Sequence, residues 1–234
     1  MAQKITTIGF DADDTLWQNE QFFRMTQERF ADLLADYTEP DHLAERLRAA
    51  ERKNLSHYGY GVKGFVLSMI ETAIEVTDQR VPAPVIAQLI DAGRDMLRHP
   101  IELLPHAQDA VEAMAESHRV ILITKGDLLD QDRKLAQSGL GQLFHAVEIV
   151  SEKTAPVYAR IFDDLGEGAG RALMAGNSMK SDVIPPIEAG GWGVFVPHGL
   201  TWELEHADHP DHDRFHELPD LSGLAALVDE IEHG

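Results

Sequence analysis

The chain has 234 residues, 44% of them apolar and 26% charged, a balance that specifies a globular fold rather than a disordered chain. A formal charge of −20 argues against nucleic-acid backbones and anionic membranes as partners, and requires any anionic substrate to meet local positive charge or metal. Cysteine is absent, which excludes disulfides and thiolate chemistry, and no apolar run reaches the roughly 18 residues that span a bilayer. The polar start at Met1 has no charged n-region followed by an apolar h-region, so a soluble, cytoplasmic protein is expected, a monomer or homodimer.

The first element is a short strand. Ile5, Ile8 and Phe10 run into Asp11, Asp13 and Asp14, and Thr15 follows. The apolar part predicts a buried strand, and the acidic part predicts the loop at its C-terminal end, where open α/β sheets bind ligands. Carboxylates crowded there repel one another unless a cation sits among them, and the hard ion suited to carboxylate oxygen is Mg²⁺. The pattern then turns helical. Phe23, Phe30, Leu34 and Tyr37 recur at helical spacing, and Pro40 opens a second helix carrying Leu43 and Leu47. Tyr58-Gly59-Tyr60-Gly61 is a break. Val62, Phe65, Val66, Met69, Ile70 and Ala73 then form the clearest apolar stripe, and a fourth helix follows Pro82 and Pro84. Four amphipathic helices joined by short turns predict a small bundle.

From about residue 100 the pattern alternates. Strands are expected at 120–123, 147–150, 172–176 and 194–196, with helices at 107–116, 128–137, 156–165 and 222–232 and a Pro-interrupted helix over about 182–189. This alternation implies a parallel sheet with right-handed crossovers, which the N-terminal strand must join. The expected fold is therefore α/β: a Rossmann-like parallel-sheet core over 1–15 and 100–234, with an inserted four-helix cap domain over 16–99. The stretch from His198 to Asp220 holds His206, His209, His212 and His216, but their spacings match no ordinary zinc pattern, and a solvated surface loop is expected there.

Parallel strands bring their C-terminal ends to one edge of the sheet. That edge then collects Asp11 and Asp13, Thr124 with Lys125, Lys153, and Asn177 with Asp182. Carboxylates, a hydroxyl, loop N–H groups and a lysine suit attack on a phosphoryl group. One carboxylate can act as nucleophile and a second, two residues on, can move the proton. A divalent ion, the lysine and the N–H groups can offset the phosphoryl charge.

In these residues the sequence resembles the haloacid dehalogenase superfamily of hydrolases. Asp11-Ala12-Asp13-Asp14-Thr15, Thr124, Lys153 and Gly176-Asn177-Ser178 with Asp182 look like its four motifs, in its order and on its strand ends. The helical insertion sits where the family's C1 cap domain sits. The resemblance implies that Asp11 is the nucleophile and a metal ligand. It implies that Asp13 is the general acid/base and a metal ligand through its backbone carbonyl. Thr124 and the N–H of Lys125 would hold the phosphoryl group, Lys153 would bridge it to Asp11, and Asn177 and Asp182 would complete an Mg²⁺ site. Asn177 departs from the aspartate usual in the family, which leaves Asp182 as the main acid of that motif. Asp14 replaces a common glycine and is read as structural. Asp13 speaks against a dehalogenase, since displacing halide needs no acid for the leaving group and those members lack this second aspartate. The reading is an Mg²⁺-dependent phosphomonoester hydrolase of a small phosphorylated metabolite, with a nucleotide or sugar phosphate in view. The alternatives are a phosphonate hydrolase using cap lysine Lys53 or Lys63, a phosphomutase, or a non-catalytic binding member. Tyr60 and Lys63 in the glycine-broken cap segment are the candidate contacts to the leaving group, and Trp17 beyond the acidic loop is the candidate residue lining the entrance to the substrate site.

Overall fold

The computed structural model describes residues 4–200, 202 and 205–234; residues 1–3 of the polar start, and 201, 203 and 204 of the His-rich stretch, lie outside them. Two compact units emerge. One comprises the chain up to Glu20, Ile101–Lys125 and Gln131–Gly234, and the other comprises Gln21–Pro100 with Gly126–Asp130.

The first unit is a six-stranded sheet, all parallel, in the order β3-β2-β1-β4-β5-β6. The strands are β1 (Thr7–Phe10), β2 (Arg119–Lys125), β3 (Ala146–Val150), β4 (Ala172–Gly176), β5 (Trp192–Phe195) and β6 (Phe215–Glu217). β1 lies between β2 and β4, with Phe10 level with Leu122 and Ala175. It is buried throughout, as its apolar run requires. Helices α5 (Ala107–Ala115), α6 (Leu128–Ser138), α7 (Ala155–Leu165), α8 (Ile184–Glu188) and α9 (Leu224–His233) supply the crossovers and the C-terminus. Ile8, Phe10, Val111, Leu122, Leu173 and Leu224 share one apolar cluster, and Ile121, Tyr158, Ile161, Phe162 and Met174 share another. Burying each large side chain stabilises the fold by about 1.5–3 kcal/mol.

Three differences from the sequence reading have clear causes. Residues 16–20, expected in the insertion, belong with the sheet. Leu16 and Trp17 are fully buried in its core, the Leu104 N–H donates to Leu16 O, and the Gln18 N–H donates to Glu102 O. The Pro-interrupted helix expected over about 182–189 starts earlier, as a wide π-turn over Met179–Val183, and continues as the short α8, where Pro185 and Pro186 lack the N–H groups a longer helix needs. The His-rich loop also contains a strand: β6 adds to β5 with Val194 level with His216, whose ring stacks on Trp192 at 5.6 Å.

The second unit contains α1 (Glu20–Leu33, from its second residue), α2 (Pro40–Tyr58), α3 (Val62–Val76) and α4 (Ala83–Arg98). Phe30, Leu34, Leu43, Leu47, Phe65, Met69 and Leu89 form its core, on the stripes read from the sequence. Gly59 and Gly61 both hold positive φ, 70° and 105°, which explains why the break between α2 and α3 is glycine-rich.

Candidate active site

Asp11 leaves β1 with its N–H donating to Ala175 O at 2.9 Å, so the main chain of β4 fixes the start of the acidic loop. Its side chain meets Lys153, which follows β3, and the ammonium of Lys153 also reaches Asp182 Oδ1 at 2.6 Å. All three side chains are buried, with Lys153 and Asp182 exposed by only 2% and 1%. Thr15 ties the loop to β4: its hydroxyl donates to Asp11 Oδ2 at 3.0 Å and accepts the Asn177 N–H at 3.0 Å. Asp182 Oδ2 accepts the Ser178 N–H at 3.0 Å. Gly176 is required here, since a Cβ at that position would lie 2.5 Å from the Asp182 carboxylate.

The electrostatics follow from burial. Desolvation, and then the nearby Asp182, push the Asp11 carboxyl up to about 7, against the pull of Lys153. Burial works against the Lys153 ammonium, but Asp11 and Asp182 outweigh it and push its pKa up. One lysine therefore serves two buried carboxylates.

Asp13, two residues on, sits differently. It is partly exposed, and three side chains hold it. Trp17 Nε1 donates to Oδ1 at 2.7 Å, Gln131 Nε2 donates to Oδ2 at 2.8 Å, and Lys134 Nζ reaches both oxygens at 2.9 and 3.0 Å. Lys134 also donates to Asn19 Oδ1 at 2.8 Å. Trp17 is therefore not a wall of the entrance: it is fully buried, and its indole N–H is spent on Asp13. Gln131 and Lys134 were not foreseen. Asp14 takes the left-handed conformation at φ 59°, where glycine is common, and its carboxylate accepts the N–H groups of Asn19 and Glu20. Burial and Asp13 raise its carboxyl to about 6. The structural reading of Asp14 rests on these contacts.

Thr124 ends the buried part of β2, its hydroxyl donating to Lys125 O at 3.3 Å. The Lys125 side chain turns to Ser181 Oγ at 2.9 Å and Glu205 Oε1 at 2.6 Å. Glu205 Oε2 accepts from the hydroxyls of both Ser178 and Ser181. Although burial raises the Glu205 carboxyl, Lys125 and the Ser178 and Ser181 hydroxyls together hold its pKa down. In the helical unit, Tyr60 is half-buried, and Lys63 is exposed and pairs with Asp127 at 2.8 Å. Of the four His-rich residues, His206, His209 and His212 are exposed, and His209 packs its ring between Phe195 and Phe215.

The oxygens that could hold a divalent cation are those of Asp11, Asn177, Asp182 and the Asp13 carbonyl. Among the described residues no three acidic or histidine side chains converge as a ready ligand set. A cation here would be held by two carboxylates, neutral oxygens and water, a pattern suited to Mg²⁺. Two buried carboxylates share the single Lys153 ammonium, which leaves the cluster with an excess of negative charge, so the residues fit such an ion.

Fold and strand-end residues define a parallel-sheet hydrolase built on aspartates. The family model described as haloacid dehalogenase-like hydrolase matches residues 5–190, and the chain belongs to that family. A haloacid dehalogenase-like family hydrolase from Xanthomonas campestris is 42% identical, covers 98% of this chain and 93% of its own, and superposes with a TM-score of 0.89. YfnB from Bacillus subtilis, a HAD-hydrolase described as bound to magnesium, covers 97% of this chain and 99% of its own at 14% identity and a TM-score of 0.68. A 2-haloacid dehalogenase from Pseudomonas syringae has 18% identity, coverages of 97% and 99% and a TM-score of 0.61. These last two share the fold. No curated protein matches the sequence. Among the described residues, no helix is long and apolar enough to cross a membrane.

Proposed function

We propose that the protein is a phosphomonoester hydrolase acting on a small phosphorylated metabolite through an aspartyl-phosphate intermediate. The observation that carries this reading is the second carboxylate, Asp13, two residues after the buried Asp11 and held by side chains of its own. A hydrolase that expels halide has no use for a proton donor, whereas an alkoxide leaving group needs one.

In the first step an Asp11 oxygen attacks phosphorus, the bond from phosphorus to the ester oxygen breaks, and Asp13 gives that oxygen its proton. In the second, Asp13 takes a proton from water, the water oxygen attacks phosphorus, and the bond to Asp11 breaks to release phosphate. Lys153 orients Asp11 and offsets phosphoryl charge. The Thr124 hydroxyl and the Lys125 N–H would hold the phosphoryl oxygens. Asp11, Asn177, Asp182 and the Asp13 carbonyl would hold Mg²⁺, which supplies charge compensation when bound. Tyr60 and Lys63 are proposed contacts to the leaving group. Lys53 and Lys63 do not favour a Schiff-base phosphonatase: both are largely exposed and paired with carboxylates, Lys53 with Glu71 and Lys63 with Asp127, whereas an amine nucleophile needs a desolvated site. The test is phosphate release from an aryl phosphate with Mg²⁺ present. Activity is expected from the native protein and not from Asp11→Asn; equal activity in both would reject the reading.

A further inference from the structure

We propose that Lys134, with Gln131, is a positioning residue that sets Asp13 for proton transfer. This rests on the phosphatase reading above. Asp13 lies on a loop, and a loop carboxylate has rotamer freedom that proton transfer cannot tolerate, since the acid must stand within hydrogen-bond reach of the ester oxygen and then of water. The donors removing that freedom come from two sides. Trp17 belongs to the same loop and is fixed by its burial. Gln131 and Lys134 stand three residues apart on α6, so they face the same way. Both side chains are placed on further anchors: Gln131 Nε2 also donates to Lys125 O at 3.1 Å, and Lys134 also donates to Asn19 Oδ1. The Lys134 side chain is only 9% exposed, so its ammonium has left most of its water to reach Asp13. A lysine placed there only for solubility would not be buried.

The arrangement also separates the two carboxylates. Lys153 reaches Asp11 and Asp182, and Lys134 reaches both carboxylate oxygens of Asp13. Each aspartate thus has a lysine ammonium of its own to orient it. Lys134 is proposed to act on the substrate only through the Asp13 carboxylate that it holds.

The two half-reactions give a readout that a merely structural role would not move. With dinitrophenyl phosphate the leaving group departs without a proton, so formation of the aspartyl phosphate does not need Asp13, while its breakdown does. Lys134→Met is expected to release dinitrophenolate in the first turnover at the native rate and then fall to slow steady-state turnover. With a simple alkyl phosphate the same variant should lose about 10- to 100-fold in kcat, since both steps then need Asp13. Lys134→Arg and Gln131→Leu should show the same burst with smaller losses, and they carry the test if Lys134→Met melts below the assay temperature. If these variants slow the burst and the steady state together, or leave both unchanged while the native protein is active, the positioning role is wrong and the phosphatase reading stands. If the native protein hydrolyses neither ester, the phosphatase reading fails, and this proposal fails with it.

Discussion

Two carboxylates separated by one residue are treated in opposite ways. Asp11 is buried, shares its lysine with Asp182, and has its carboxyl raised to about 7. Asp13 is partly open and is held by an indole, an amide and an ammonium. The difference lies in the alternation of the loop. Asp11 points into the strand-end cluster and Asp13 toward α6, so one short acidic stretch yields two environments. Desolvation controls the first, and geometry the second. That division is what a nucleophile and a proton carrier require.

The comparison breaks most severely at Lys153. Lys153→Met would leave Asp11 and Asp182 buried with no cation between them, and losing one partner of a buried ion pair costs about 3–5 kcal/mol. Loss of activity by about 100- to 1,000-fold is expected alongside a much lower melting temperature, measured by phosphate release and calorimetry. A variant retaining native activity would show that Asp11 needs no orienting charge.

Trp17→Phe sharpens the other half. The phenyl ring keeps much of the buried packing and deletes one donor to Asp13. A decrease of about 3- to 10-fold in kcat is expected, with KM little changed. A rise in KM alone would instead assign Trp17 to substrate contact.

A third carboxylate serves as the control. Glu51, in the helical unit, is raised to about 7 by burial, with Arg48 only partly opposing, yet it has no part in the site. Its folded state keeps a proton over pH values from its ordinary 4.5 to about 7. The stability this gives is complete below that window and lost as pH rises through about 7. Glu51→Gln should therefore raise stability by about 1–2 kcal/mol in mildly alkaline buffer, leave it unchanged in acid, and not alter turnover. Thermal melts at both pH values check this; equal melting temperatures in alkaline buffer would show that burial does not protonate Glu51.

The parts of this account that sequence made legible are those where polar residues interrupt strong apolar runs. Asp11, Thr124 and Gly176-Asn177 each stand at the C-terminal end of a buried strand, so their place at one edge of a parallel sheet follows from the strand pattern alone. Four helical stripes likewise marked the bundle. Gln131 and Lys134 were not legible, because α6 is polar and nothing in its sequence distinguishes a lysine facing Asp13 from one facing water. Glu205 was hidden in a stretch dominated by histidine and aspartate, whose hydrogen bonds depend on tertiary contacts. Trp17 was misplaced because an aromatic just past a polar loop suggests an entrance; pairing of residues 16–18 with 102–104 buries it instead. β6 escaped notice because Phe215-His216-Glu217 is too short to show alternation.

The central claim is that Asp11 attacks phosphorus. Protein mixed with a phosphate ester and Mg²⁺, quenched in acid during turnover, and analysed by mass spectrometry tests it most directly. The expected result is one added phosphoryl group on the peptide containing Asp11, accumulating further in Lys134→Met and absent in Asp11→Asn. Sustained phosphate release with no modification at Asp11, or with the phosphoryl group on another residue, would contradict it.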